Sequence, residues 1–143
     1  MIVDSSKSGF DNLLALLNAG NGTDYTVDDV VFGPPSVYSD PAHPLHNTQI
    51  TVTGIGDWKG SKTVYYTRLD IDREVQYGSY PSGGYANVAA FLAFVGTQSD
   101  VRADQIKLDI VSIPPAGEEV VTTISPVADS LLYFGQKQIV FTA

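Results

Sequence analysis

The stretch Gly56-Asp57-Trp58-Lys59-Gly60-Ser61-Lys62-Thr63 has the residue types of a phosphate-binding loop. Such a loop needs a lysine directly after its last glycine and a helix opening behind it, so that backbone N–H groups converge on phosphate. Here Ser61 separates Gly60 from Lys62, and no glycine precedes Gly60 by five. The following Val64-Tyr65-Tyr66-Thr67 is β-branched and aromatic, the composition of a strand. The stretch therefore predicts a hairpin turn carrying an aromatic anchor. Asp70, Asp72 and Glu74 alternate and offer oxygen to a hard cation. A calcium loop would want glycine where Val75 stands and a glutamate further on, so a solvated strand end is expected.

His43 and His46 are the two histidines of the chain. Pro41 and Pro44 forbid a stable helix, so their spacing does not align the two imidazoles, and Asp40 is the one near candidate for a third metal ligand. An exposed loop is expected. No Gly-x-Ser-x-Gly elbow occurs, and any hydrolase triad would have to borrow a histidine from this loop. A glycosidase-like carboxylate pair is a three-dimensional quantity that no spacing singles out. Cysteine is absent, which removes disulfides, thiolate metal sites and thiol nucleophiles. No catalytic residue, metal ligand, cofactor or small-molecule substrate is assigned, and the chain is expected not to be an enzyme. The residues that suit binding are aromatic: Trp58 on the turn, and Tyr77, Tyr80 and Tyr85 among Gly78, Gly83 and Gly84. Rigid rings give contact area at low entropic cost, and they also stack on sugars. The three tyrosines form either a contact surface or a connector whose rings fold back on the core.

Charge narrows the partners. Sixteen acidic residues face eight Lys and Arg, giving a net charge of −8. The cations are scattered and form no basic stripe, so nucleic acid is not an expected partner. The longest apolar run, Val88 to Val95, is far too short for a bilayer, and no membrane partner is expected. Met1 to Phe10 lacks the apolar core of a secretory signal, so synthesis and folding in a cytoplasm are expected. Asn21-Gly22-Thr23 is then a turn rather than a glycosylation site.

The elements that must position these residues occur twice. Asn12 to Leu17 aligns with Asn87 to Leu92, 75 residues later, and the same shift pairs Val52 with Val127, Trp58 with Tyr133, and Gly60–Thr67 with Gly135–Thr142. The proline pairs Pro34-Pro35 and Pro114-Pro115 fall between the blocks at a different shift, as loop-length drift between two copies would give. Chance matching of common residue types is the alternative. Each copy opens with an apolar helical stripe: Phe10, Leu13, Leu14 and Leu17, then Val88, Phe91, Leu92 and Val95. Ser8 is the expected N-cap, and Gly20 and Gly96 are the expected stops. Strands follow at Val30–Phe32, Ile50–Val52 and Thr63–Ile71, and again at Ile106–Ile110, Val120–Ile124 and Gln138–Phe141.

The expected fold is α+β, mainly antiparallel. Two helix–strand–strand–strand repeats, about 8–71 and 83–143, would pack as one pseudo-twofold unit within a single compact domain, 1–143, joined by a Gly/Ser/Tyr-rich linker over 72–86.

Asp11 to Asn18, Thr26 to Pro34, Asn47 to Thr53 and Tyr66 to Ile71, with Asp129 to Gly135 in the second copy, resemble a family of small virion structural proteins of tailed bacteriophages. The resemblance covers most of the chain as pattern. It departs at Trp58-Lys59-Gly60 and in the long loop from Tyr38 to His46. It implies a non-enzymatic building block located in the virion. Such a block is present in many copies and contacts other capsid or tail subunits, and copies of itself. A capsid decoration or accessory subunit is the first expectation, and a tail or baseplate subunit the second. A soluble carbohydrate or protein recognition module is the reading from a different class.

Overall fold

The computed structural model describes residues 2–42 and 44–143, so Met1 and His43 lie outside the described residues. In chain order the elements are α1 (Gly9–Asn21), β1 (Val30–Phe32), β2 (Ser36–Val37), β3 (Thr48–Gly54), β4 (Ser61–Tyr66), β5 (Leu69–Asp70), α2 (Ile71–Glu74), β6 (Ser79–Pro81), α3 (Val88–Ser99), a 3₁₀ turn (Ala103–Gln105), β7 (Ile106–Leu108), β8 (Val120–Pro126), β9 (Tyr133–Phe134) and β10 (Lys137–Thr142). The fold is α+β with mostly antiparallel strands. No helix among the described residues is long and apolar enough to cross a membrane.

The chain forms two compact units. One runs to Arg68 and takes in Asp129–Leu132; the other comprises Leu69–Ala128 and Tyr133–Ala143. The division thus falls just before the 72–86 stretch, and a short piece of late sequence belongs to the early unit.

In the first unit, β3 is the central strand. It pairs antiparallel with β1 and β2 on one side and with β4 on the other. Its alternation buries Thr48, Ile50 and Val52 toward one face. Leu13 of α1 joins Ile50 and Tyr66 in the core, with Phe32, Val64 and Leu131 packed around them. The Ser8 cap forms as expected: its side chain accepts the Asp11 N–H at 3.0 Å. The helix stops at Gly22 rather than Gly20. Gly22 adopts φ 63°, and its N–H returns to the Asn18 carbonyl.

In the second unit, the strand order is β6-β10-β8-β7, with β6 parallel to β10 and the other pairs antiparallel. A short parallel ladder joins β5 to β9. Asn87 caps α3 by accepting the Ala90 N–H, and the helix ends at Asp100, not Gly96. Gly96 is buried inside the helix, where an added Cβ would stand 2.9 Å from the Val101 carbonyl oxygen. Close approach of backbone, rather than chain reversal, is what requires glycine there. The expected long strand from Thr63 to Ile71 is interrupted: β4 ends at Tyr66, β5 holds only two residues, and α2 starts at Ile71. The 72–86 stretch is not a loose connector either. Its middle is β6, which gains ladder partners on β10 and buries Tyr80.

Candidate functional site

The turn between β3 and β4 builds one concavity of the first unit. The Gly54 N–H donates to the Gly60 carbonyl at 2.9 Å, and the Trp58 N–H donates to the Ile55 carbonyl at 3.2 Å. The loop folds so tightly that a Cβ on Gly54 would sit 2.8 Å from the Trp58 carbonyl carbon. Trp58 is thereby fixed over Tyr25, ring edge to ring face, at 4.9 Å. Tyr25 is held in turn by α1. The Asn18 side-chain oxygen accepts the Tyr25 N–H, and its amide donates to the Tyr25 carbonyl, both at 2.9 Å. The cavity so formed is about 470 Å³ and is lined by Leu17, Tyr25, Val52, Trp58, Lys59 and Lys62, among others. Lys59 and Lys62 are exposed, and no ion pair involves either of them among the described residues.

A second concavity of about 310 Å³ continues along α1 and β4. Leu13, Leu16, Leu17 and Gly20 form one wall, and Val64, Tyr65 and Tyr66 the other, with His46 at the rim. A third, of about 570 Å³, reaches round β4 to Tyr38, Asp40 and Thr63. Asn21 and Val64 line all three. Among the described residues β4 pairs only with β3, which leaves its outer edge free there. Tyr38 stacks on Tyr65 at 4.5 Å. Burial, then the hydrogen bond its hydroxyl donates to Asp40, raises the Tyr38 phenol above the usual tyrosine value. Tyr66 lies deeper, and burial pushes it up to about 12 against the opposing field of Arg68.

Residues 3–143 match a protein family described as a family of unknown function (DUF7941). The chain belongs to this family. No curated protein and no solved structure matches the chain.

Within this DUF7941 chain, the aromatic candidates are dispersed. Trp58 is 49% exposed and lies at the cavity just described. Tyr77, Tyr80 and Tyr85 lie in the second unit. Tyr77 is half-exposed, while Tyr80 is 2% exposed and packs edge-on against Phe91 at 5.0 Å. Tyr85 is half-buried on Phe91 and Phe94 at 5.0 and 5.4 Å. Of the two readings left open for these tyrosines, folding back on the core describes Tyr80 and Tyr85, and surface display describes Tyr77. Of Asp70, Asp72 and Glu74, only Asp70 is a strand end, the last residue of β5. Asp70 caps α2 by accepting the Asp72 N–H, and the other two ride that single helical turn. In the Gly56–Thr63 stretch, Gly56 to Gly60 belong to the β3–β4 turn, with Gly56 and Gly60 at φ 64° and 91°, and Ser61 to Thr63 open β4. His46 is exposed in the loop before β3, as expected, and also lines the groove; His43 lies outside the described residues. Among the described residues no group of three His, Asp or Glu could hold a metal ion.

Sequence reasoning missed Tyr25, Leu16 and Gly20 as groove residues. Asn18, one turn before the helix stop, was the available signal: a mid-helix asparagine near a Gly-containing turn tends to bond the backbone beyond it.

Proposed function

We propose that this chain is a non-enzymatic structural subunit that acts through protein–protein contacts in the virion of a tailed bacteriophage, as a capsid decoration or accessory subunit. A tail or baseplate subunit is the near alternative. The particle comes from the resemblance of its sequence blocks. The observation that carries the mode of action is the free edge of β4, six residues long and flanked by an apolar groove. An unpaired edge of that length is a template for pairing with another chain. The test is quantitative mass spectrometry of purified particles. A constant copy ratio to the major capsid or tail protein is expected; absence from particles overturns the reading.

We further propose that the two halves are copies of one unit. Phe32 and Lys62 flank Val52 across its ladders, as Leu108 and Lys137 flank Ile124. The Ile55 N–H donates to Asp29 O at 2.8 Å, and the Val127 N–H to Gln105 O at 2.9 Å, in the same place relative to each ladder. The equivalence runs through Ile124 and not through Val127, the residue paired with Val52 by simple alignment. Trp58 and Tyr133 likewise differ, one half-exposed and the other fully buried.

A saccharide-recognition reading has its own observation, the cavity between Trp58 and Tyr25 with two free-standing lysines. A glycan array showing selective binding that Trp58→Ala abolishes would favour it over the structural role.

A further inference from the structure

We propose that the edge of β4 in the first unit takes an extended acidic peptide segment, which adds to the sheet as a new outer strand. The proposal rests on the contact-making reading above and names the partner's chemistry.

Backbone geometry comes first. The hydrogen bond from Gly54 N–H to Gly60 O lies on the same register as Thr48↔Tyr66 and Val52↔Lys62. In an antiparallel pair such hydrogen-bonded positions alternate along the strand. Lys62, Val64 and Tyr66 therefore turn their N–H and C=O groups toward β3. Ser61, Thr63 and Tyr65 turn theirs outward, where no strand of the described residues meets them. A peptide laid along that edge completes these pairs, and alternate side chains fall toward the groove beside α1.

Charge selects the peptide. The chain has twice as many acids as bases. The charged residues lining the three concavities reverse that balance: Lys59 and Lys62 against Asp40. Asp40 is already engaged, accepting from the Tyr38 hydroxyl and the Ala42 N–H. Lys62 sits on the edge strand itself, a position where lysine blocks pairing by apolar strands. The same ammonium attracts a strand carrying carboxylates. A second copy of β4 is a poor occupant, because it would bring two Lys62 and two Lys59 ammonium groups onto one short ladder.

A short, end-blocked peptide of alternating glutamate and valine is the probe, followed by the fluorescence of Trp58, the single tryptophan of the chain. Saturable binding is expected, weakened about tenfold or more by Lys59→Glu with Lys62→Glu, and by raised salt. Both lysines are exposed, so the double variant should keep the wild-type circular dichroism and melting point. A peptide of the same sequence N-methylated at every amide should not bind, because neither of its edges keeps an N–H for the ladder. Equal binding of a lysine–valine peptide, equal binding of the N-methylated peptide, or no binding at all overturns the proposal. So does concentration-dependent dimerisation in sedimentation that the double variant strengthens. The two readings fail separately. No peptide binding by the unmodified chain, with that chain present in particles at a constant copy ratio, removes the docking proposal alone. Absence of the unmodified chain from particles removes the virion reading alone.

Discussion

Tyr66 closes the core of the first unit, and its hydroxyl donates to the Leu131 carbonyl at 2.9 Å. Tyr66→Phe keeps the ring and removes that bond, so a loss of about 1 kcal/mol in denaturant unfolding is expected. Alkaline titration reads the same burial. The Tyr66 and Tyr80 phenols are pushed from 10 up to about 12, mainly by burial. Below pH 10 both folded and unfolded chains keep these protons, and the full stability is present. Between pH 10 and 12 the unfolded chain ionises first, and stability drains away until the folded-state value is passed. Unfolding midpoints measured across that window should fall steeply, with Tyr66→Phe flattening the slope. A midpoint independent of pH up to 12 would show that these rings are solvated. Gly96→Ala belongs here too. Its methyl would press on the Val101 carbonyl, and a destabilisation of about 1–3 kcal/mol is expected despite the better helix propensity of alanine.

Among the elements, α3 and β10 hold the second unit through stacked rings. Phe91 touches Tyr80, Tyr85 and Phe141, each at about 5.0 Å for the nearest and 0% exposure of its own side chain. Phe91→Ala should cost about 3–5 kcal/mol, whereas Phe94→Ala, at a 43% exposed position, should cost far less. Comparing the two melting points checks whether the cluster or the helix face supplies the stability. Both stripes were legible in the sequence because helical period and apolar composition coincide at Val88, Phe91, Leu92 and Val95. The Ser8 cap was legible for the same local reason. Helix ends were not, since Gly20 and Gly96 look alike in sequence with Gly22, and only tertiary contact separates a glycine chosen for φ from one chosen for space. The strands over 63–71 and the connector over 72–86 failed on long-range grounds. Pairing of β5 with β9, and of β6 with β10, draws on partners more than sixty residues away, which no local window can register. The groove was half-visible. Trp58 announced itself by type, but Tyr25 joined it through a bond from Asn18 that depends on how the helix ends.

For the molecule as a whole, Asp129–Leu132 is the unusual feature. Leu131 completes the first unit's core, and Arg68 donates from its guanidinium to Ser130 O at 3.2 Å and to Thr48 Oγ1 at 2.9 Å. Arg68→Met leaves the Ser130 carbonyl without this donor, and a loss of about 1–3 kcal/mol is expected in thermal or denaturant melts of the full chain. A ribosome extrudes residues in order, so a nascent chain that has emerged only through Arg68 has its sheet and α1 but lacks the four residues that finish their packing. Final closure must wait until translation has passed Leu132. Early-arrested chains should therefore be cut quickly by protease, and resistance of the N-terminal portion should rise abruptly only once synthesis has passed Leu132.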